Sequence, residues 1–342
     1  MKAERIEGRL HLLKNYFLIA LFLVVFTTSA QIRFEYEGQK MGTQIRLVFY
    51  ASDPVVADSA SKAVFSRIDE LNTILSDYLE DSELNQLCQR PKQPVKVSGD
   101  LFEALFESVE IAKSTEGAFD ITAGPLIRLW RDARKSKILP NSKEIKKALK
   151  VVDHRNITFL GKDEVRLEKE NMQLDLGGIG KGFAADEALE VLKAHGIYSA
   201  LIDMGGDITV GDPPPDMEYW TLAFYYYDKE GKEVAQKIKL KNQAIATSGD
   251  LYQFLEVDGI RYSHIVDPKT GMALNSRIQV TVIAPKGTLA DGYASAFSVM
   301  GIGKTKEKID QIRGLNAFIV EQAPHKHLQW ISDGFQGFFL TN

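Results

Sequence analysis

Residues Leu174–Asp186, LDLGGIGKGFAAD, place four glycines and a lysine between an apolar segment and a segment with helical spacing. This order predicts a strand, a tight turn and a helix. Glycine-rich turns of this kind commonly bind phosphate, because backbone N–H groups and the positive end of the helix point to one place. The spacing excludes a P-loop, since Gly182 follows Lys181, and a dinucleotide fingerprint, since Phe183 occupies the third glycine position. A turn that only packs a helix on a sheet is the alternative.

The rest of the chain predicts a single α+β domain. Its 342 residues have an ordinary globular composition, and a net charge of −4 gives no electrostatic reason to expect nucleic acid as a partner. Short strands joined by loops of hairpin length favour antiparallel pairing. The stretch DPPPD, Asp212–Asp216, lies between strands of similar character and is interpreted as a loop. We expect mixed or antiparallel sheets, flanked by helices, over residues 31–342.

The first thirty residues are organised like a signal peptide. Basic residues precede the apolar run Tyr16–Phe26, which is shorter than the ~20 residues that a membrane-spanning helix needs. Thr28 and Ala30 are the small residues of a cleavage site after Ala30. We expect residues 1–30 to be removed and the protein to act outside the cytoplasm; an uncleaved anchor is the alternative. Cys88 is the only cysteine, and we predict that it fills a buried apolar position.

Hydrophobic periodicity and capping residues locate the main elements. The expected elements are a strand at Gln44–Tyr50, a helix at Val55–Leu75, a turn capped by Ser82, a helix that starts at Ser98 or Asp100 and stops at Gly117, a helix capped by Ser142, a strand at Met172–Leu176, and a helix that contains Asp291.

Two stretches carry polar residues whose role the pattern leaves open. Asp120 in GAFDITAGPLIRLW interrupts an apolar run, as either a helix cap or a ligand contact. His264 in YSHIVDPKTG is either a polar residue at a strand edge or a functional side chain. In the same stretch, Asp267 and Pro268 begin a turn sequence, so we expect Asp267 to be structural.

A third stretch, LADGYASAFSVM, offers a metal-binding pair. Asp291 and Ser295 are four residues apart at the start of a helix, so they lie on one face about a turn apart. A carboxylate and a hydroxyl are hard oxygen ligands that suit Mg²⁺, which is also held by substrate phosphates. Alternatively, Asp291 caps the helix or complements its dipole, and Ser295 is a small packing residue.

Seven stretches in this order resemble the motif series of the ApbE family, the FAD:protein FMN transferases. They are MGT (Met41–Thr43), GAFDITAGPL, LDLGGIGKGFAAD, LIDMGGDI, ATSGD, YSHIVDPKTG and LADGYASAF. The resemblance implies an exported enzyme that binds FAD and Mg²⁺, transfers FMN to a threonine or serine hydroxyl of an acceptor protein, and releases AMP. It also implies a membrane-bound redox subunit as acceptor and a periplasmic location. Some family members instead hydrolyse FAD to FMN and AMP, and a flavin-binding protein without turnover is a further alternative.

The resemblance assigns roles to individual residues. Asp291, Ser295 and the backbone carbonyl of Gly180 match the metal ligands, although the family usually has threonine where this chain has Ser295. Many members carry a lipid-attachment cysteine after the signal, which this chain lacks. Lys181 is either a charge near phosphate or a solvated lysine, and His264 is expected to take a proton from the acceptor hydroxyl, because histidine titrates near pH ~6.5. The positions that resemble FAD contacts are Met41, Tyr78, Ala118, Phe119, Asp120, Gly177, Phe183 and Ile265.

Overall fold

The computed structural model describes residues 31–249, 254–323 and 326–340. The predicted signal peptide, residues 1–30, lies outside these ranges, so its cleavage stays a prediction. Within them, no helix combines the length and the apolar character needed to cross a membrane.

An eight-stranded sheet forms the centre of the molecule. The strand order is β1-β2-β6-β7-β10-β13-β14-β15, and every neighbouring pair is antiparallel. Three smaller antiparallel sheets have the orders β3-β5-β4, β8-β9 and β11-β12. The strands are β1 Ile32–Lys40, β2 Thr43–Ala51, β3 Val95–Lys96, β4 Ile157–Leu160, β5 Glu164–Leu167, β6 Ala200–Asp203, β7 Ile208–Val210, β8 Trp220–Tyr227, β9 Glu233–Leu240, β10 Gln243–Gly249, β11 Phe254–Val257, β12 Ile260–Ser263, β13 Arg277–Ala284, β14 Asn316–Ala323 and β15 Lys326–Ile331.

Helices cover one face of this sheet, and a β-hairpin covers the other. Side chains alternate along β2, so Leu47 and Phe49 pack against the helices, whereas Val48 packs against the β8–β9 hairpin. The predicted α+β domain with flanking helices is therefore confirmed. The helices are α1 Pro54–Leu75, α2 Glu83–Cys88, α3 Gly99–Ser114, α4 Gly124–Ser136, α5 Ser142–Leu149, α6 Gly180–Ala194 and α7 Gly287–Lys308, with short 3₁₀ turns at Ile121–Ala123, His154–Asn156, Ile309–Gln311 and Asp333–Phe338.

The predicted helix starts are mostly confirmed. The Ser82 hydroxyl accepts the Asn85 amide at 3.1 Å, and the Ser98 hydroxyl caps α3 in the same way. The predicted cap at Ser142 is wrong. Asn141 caps α5, because its side chain accepts two backbone amides while the Glu144 carboxylate accepts the Asn141 amide at 3.0 Å.

The predicted strand at Met172–Leu176 is also wrong. This segment pairs with no strand of the described sheets. Its amides donate elsewhere: Asp175 to the Ile121 carbonyl at 2.8 Å, and Leu174 to the Cys88 sulfur at 3.3 Å. The predicted burial of Cys88 is confirmed, and its sulfur also accepts a backbone hydrogen bond.

Candidate functional site

A cavity of about 410 Å³ opens where the chemically unusual stretches of the sequence converge. Its wall is formed by the loop after α1, the 3₁₀ turn before α4, the glycine-rich turn, the segment after β12, and one face of α7. The predicted site residues that line it are Tyr78, Ala118, Phe119, Asp120, Gly177, His264, Ile265, Asp291 and Ser295.

At one end of the cavity, the N-termini of α6 and α7 cross, and each helix is capped by an aspartate of the other. Asp186 of α6 accepts the Gly287 amide at 2.6 Å and the Thr288 amide at 2.9 Å. In return, Asp291 of α7 accepts the Gly182 amide at 3.2 Å. Asp186 also accepts the Thr288 hydroxyl at 2.7 Å, so it satisfies three donors at the start of α7. Asp291 therefore does not cap its own helix.

Two glycines make this crossing possible. A Cβ atom on Gly182 would clash with the Gly287 carbonyl group, and a Cβ on Gly287 would clash with the Gly182 carbonyl oxygen. The backbones can approach this closely only because both side chains are hydrogen atoms. The glycine-rich turn thus brings two helix N-termini together, which is more than packing one helix on a sheet.

The charges at the crossed-helix end do not balance. Asp207 and Asp291 are buried, and Lys181 forms an ion pair with Asp207. Burial and the neighbouring Asp207 raise the pKa of Asp291 to about 7. Lys181 is therefore not a freely solvated lysine, and one lysine faces two buried carboxylates. This arrangement favours an additional cation.

The donor set fits a hard divalent cation. Ser295 lies beside the turn, since a Cβ on Gly178 would come within 3.0 Å of the Ser295 hydroxyl oxygen. No group of three or more His, Cys, Asp or Glu side chains arranged to hold a metal occurs in the part of the chain that the structure describes. One carboxylate, one hydroxyl and one backbone carbonyl do not make such a group, but they suit Mg²⁺, which keeps waters and takes substrate phosphate oxygens.

Asp120 lies on the cavity wall and caps the adjoining 3₁₀ turn. One of its carboxylate oxygens accepts the Thr122 amide at 2.9 Å and the Thr122 hydroxyl at 2.6 Å. The other accepts the His154 amide at 2.9 Å and lies 3.2 Å from His154 Nδ1. The capping interpretation is thus confirmed, while contact with FAD stays a prediction.

His264 lies just after β12 and lines the cavity. The nearby Asp267 does not line it: one of its oxygens accepts the Lys269 amide at 2.8 Å and the other accepts the Thr270 hydroxyl at 3.0 Å. The predicted structural role of Asp267 is confirmed. The segment therefore aims its histidine and not its aspartate at the cavity.

Another part of the cavity wall, the arginine end, is rich in arginine. Arg131 lies 2.8 Å from Asp77 and 3.3 Å from Asp175, and its guanidinium group stacks 4.0 Å above the Tyr78 ring. Arg134 also lines this end, and its Nη1 atom is buried with no hydrogen-bond partner among the described residues. Burial and the nearby Arg131 lower the pKa of Arg134, which means that its positive charge is under-compensated.

Comparison with known proteins agrees with the motif order. A sequence model of the ApbE family matches residues 41–319. The chain belongs to the ApbE family. A Vibrio cholerae protein named FAD:protein FMN transferase is 31% identical over 327 residues, which cover 93% of this chain and 94% of that protein. A protein of the same name from Treponema pallidum is 30% identical over 297 residues, 82% of each chain. The solved structure of the flavin transferase ApbE from Vibrio cholerae matches with a TM-score of 0.82 at 27% identity, covering 91% of this chain and 100% of that one.

Three residues that the ApbE resemblance assigns to the site do not line the cavity. Gly180 is the first residue of α6, and a Cβ on it would come within 4.0 Å of the Met41 side chain. Met41 and Gly42 both have positive φ, at 49° and 72°, and form the two-residue turn between β1 and β2. Phe183 is buried in the core. Their contacts with metal or FAD stay predictions.

Several polar residues of this ApbE site carried no recognised sequence signal. Asp186 ends the LDLGGIGKGFAAD motif but reads as an ordinary helix residue, and Asp207 follows the glycines of LIDMGGDI. The position of Asp186 near the start of α6 could have suggested its role, because an aspartate in the first turns of a helix can cap a neighbouring helix N-terminus as well as its own. Arg131 and Arg134 occupy a face of α4 that the sequence pattern alone cannot assign to a cavity.

Proposed function

We propose that this chain is a magnesium-dependent FAD:protein FMN transferase that moves FMN from FAD to a threonine or serine hydroxyl of an acceptor protein and releases AMP. The family membership and the names of the relatives support this proposal. The observation that carries it is that Asp291, Ser295, His264 and the glycine-rich turn all line the same cavity.

Asp291, Ser295 and the Gly180 carbonyl would hold Mg²⁺ at the crossed-helix end. The cation would supply positive charge against the FAD pyrophosphate and against the AMP phosphate as it leaves. The buried Asp207 and Asp291, which share one lysine, support a cation at this position. Lys181 keeps Asp207 neutralised, so that Asp291 stays available as a ligand.

The transfer needs one new bond and one broken bond. The acceptor hydroxyl oxygen attacks the FMN-side phosphorus in line, the bond from this phosphorus to the bridging oxygen breaks, and AMP leaves with that oxygen. His264 takes the hydroxyl proton, which its position on the cavity wall supports. Asp267 is a poor candidate for this role, because both of its carboxylate oxygens already accept hydrogen bonds in the turn.

The main alternative is a magnesium-dependent FAD pyrophosphatase, in which water replaces the acceptor hydroxyl. The same metal ligands and the same histidine would serve both reactions, so the site geometry favours neither. A flavin-binding protein without turnover is less well supported. Binding alone does not need a carboxylate and a hydroxyl side by side at a place where the protein's own cations do not balance the buried carboxylates.

A single assay separates these three functions. The mature chain is incubated with FAD, MgCl₂ and proteins extracted from the cell envelope of its source, and products are followed by in-gel flavin fluorescence and by chromatography of AMP. A fluorescent protein band with equimolar AMP supports the transferase. AMP with free FMN and no labelled band supports the pyrophosphatase, and unchanged FAD supports the binding protein.

We also propose export of the mature chain from about Gln31 onward. The leader, with its short apolar run and small residues before Ala30, supports this location. Cell fractionation followed by N-terminal sequencing tests it. A mature N-terminus near Gln31 in the periplasmic or peripheral membrane fraction is expected, whereas an intact Met1 in a carbonate-resistant membrane fraction would show an uncleaved anchor.

A further inference from the structure

Helices α4 and α5 carry an unusual concentration of positive charge. Between residues 124 and 150 the sequence has nine lysines and arginines but only two acidic residues, in a chain whose net charge is −4. The two helices contribute Leu126, Trp130, Ala133, Ile145 and Ala148 to one buried cluster, and most of their lysines face solvent. We call residues 124–150 the α4–α5 basic surface. The lysines on it that are exposed are Lys135, Lys137, Lys143, Lys146, Lys147 and Lys150.

This charge is not neutralised by neighbouring residues. Of the nine basic residues, only Arg131 has an acidic side chain within 4.0 Å in the described ranges. Some basic residues elsewhere are paired: Arg67, for example, contacts the three carboxylates of Glu70, Asp100 and Glu187. An unpaired cluster of one sign repels itself and costs stability, so its presence in an otherwise acidic chain favours a binding role.

The basic surface continues into the cavity. Ala123, just before α4, and Ile127, Arg131 and Arg134 of α4 follow at intervals of three or four residues, and all four line the cavity wall. Arg134 marks the inner end, because its Nη1 atom is buried without a partner in the described part of the chain. Lys135 and Lys137 extend the same charge outward to solvent. A ligand that satisfies this row must reach from the surface into the cavity.

We propose that the α4–α5 basic surface docks an acidic segment of the acceptor protein, with a carboxylate of that segment reaching Arg134. This proposal rests on the proposed transferase function. A polypeptide with exposed carboxylates can follow the row of charges inward, whereas the flat plane of lipid headgroups cannot place a group beside the buried Arg134 nitrogen. Docking here would hold the acceptor at the cavity in which its hydroxyl must react, and would raise the rate of productive encounter.

The first test compares two variants with the same change in net charge. The surface variant carries Lys135→Glu, Lys143→Glu, Lys146→Glu and Lys147→Glu. The control variant reverses four exposed lysines elsewhere, Lys62, Lys162, Lys232 and Lys241, which have no ion pair in the described residues. Transfer kinetics are measured with the acceptor that becomes labelled in the assay above, and FAD affinity is measured alongside.

The surface variant should raise the KM for the acceptor by about ten-fold or more at about 50 mM salt, and the difference should shrink at about 500 mM. The control variant should leave this KM within about two-fold of the wild type. The FAD affinity and the rate at saturating acceptor should change little in either variant. Equal effects of the two variants would overturn the docking proposal while leaving the transferase function intact; absence of any labelled acceptor with the wild-type chain would instead refute the transferase function.

A second test does not depend on identifying the acceptor. Fluorescein-labelled octaglutamate and vesicles of about 30% phosphatidylglycerol serve as probes for acidic polypeptide and anionic membrane. Octaglutamate should bind the wild type and the control variant but not the surface variant. Vesicle binding without octaglutamate binding would overturn the proposal in favour of a membrane contact. If the glutamate variant unfolds, the four Lys→Gln substitutions remove the charge without reversing it and keep the test decisive.

Discussion

At the crossed-helix end of the cavity, the buried carboxylates of Asp207 and Asp291 share a single lysine. At the arginine end, Arg131 is held by two carboxylates while the neighbouring Arg134 keeps a buried nitrogen without a partner in the described residues. The first end therefore lacks positive charge, and the second has a buried guanidinium nitrogen that no described acceptor satisfies.

This difference indicates what each end should bind. A buried carboxylate that is not balanced by the protein favours a cation, and a buried guanidinium that is not balanced favours an anion. A metal ion that accompanies a diphosphate-containing substrate would supply the cation at the crossed-helix end. An acidic protein segment would supply the anion at the arginine end.

The largest effect is expected from Asp291→Ala, which removes the charged ligand of the proposed cation. We expect kcat/KM for transfer to fall by about 10³-fold or more, equivalent to about 4 kcal/mol of transition-state stabilisation, and Mg²⁺ binding by calorimetry to disappear. Ser295→Ala should impair transfer, and Ser295→Thr should be tolerated because it keeps the hydroxyl.

Ser298→Ala is the matched control for the metal pair. Ser298 lies on the same helix, and its hydroxyl donates to the Ala294 carbonyl at 2.9 Å without lining the cavity. Its loss should leave Mg²⁺ affinity and transfer near the wild-type values. Near-normal transfer by Asp291→Ala would show that no catalytic metal ion binds at the crossed-helix end.

The next effect is expected from His264→Asn, which removes the proposed general base on the cavity wall. Such assistance contributes about 10²–10⁴-fold, so the transfer rate should fall by that order while FAD affinity changes little. The acidic limb of the pH–rate profile should also disappear, because a histidine base works only when it is unprotonated. His195→Asn, at an exposed position after α6, is the control.

A purely structural His264 would give a different pattern. The variant would then show a lower melting temperature and weaker FAD binding, with the acidic limb retained. A rate and a pH profile both equal to those of the wild type would exclude His264 as the base.

A smaller effect is expected from Asp186→Asn. The amide keeps one acceptor oxygen but loses the charge that holds the amides of Gly287 and Thr288, so α7 and its Asp291 should shift relative to α6. Loss of a residue that orients metal ligands typically costs about 10–100-fold in metal affinity. Calorimetric titration with Mg²⁺, at a temperature where the variant is folded, measures this directly.

Glu190→Gln provides the control on α6. Glu190 is exposed and, among the described residues, pairs only with Lys193 on the same helix, so both Mg²⁺ affinity and stability should change little. If Asp186→Asn lowered the melting temperature but left Mg²⁺ affinity unchanged, Asp186 would stabilise the fold without positioning the metal ligands.

The smallest effect concerns Asp175 at the arginine end. Burial and the nearby Asp77 raise the pKa of Asp175 to about 6. Because the pKa in the folded state lies above the value in the unfolded state, this group's favourable contribution is complete below about pH 4 and is lost as the pH rises through 6. Asp175→Asn should therefore gain about 2 kcal/mol in unfolding free energy relative to the wild type between about pH 4 and pH 7.

Urea unfolding at the two pH values measures this difference, with Asp132→Asn at an exposed position of α4 as the control. A difference that does not change with pH would show that Arg131 fully compensates the burial of Asp175. Ion pairing of the carboxylates at the arginine end would then be complete.

The sequence predicted the crossed-helix end much better than the arginine end. Glycines that permit close backbone approach, and an aspartate and a serine at helical spacing, are local signals, and both stretches line the cavity as expected. Arg131 and Arg134, by contrast, are ordinary residues of an amphipathic helix, and only the tertiary packing of α4 turns them toward the cavity. The reciprocal caps of Asp186 and Asp291 were also missed, because the donors that they satisfy are about a hundred residues away in the sequence.

The same reasoning explains the two wrong predictions of secondary structure. Asn141 and Ser142 are both good capping residues, and the choice between them depends on which one places Glu144 three residues later. Met172–Leu176 has the composition of a strand, but its amides are satisfied by a loop carbonyl and by Cys88, which no local pattern reveals.

The crossing of α6 and α7 has a consequence for folding. The hydrogen bonds that join the two N-termini connect residues 101 and 109 positions apart in the chain. Contacts of such long range carry a loop-closure entropy cost that local contacts avoid, and a fold rich in them folds more slowly. A chain that ends before α7 has Gly180 but neither Asp291 nor Ser295, so the proposed cation would bind only once nearly the whole domain is in place. Metal affinity would thus serve as a reporter of complete folding, and added Mg²⁺ would slow global unfolding by stabilising the native state alone.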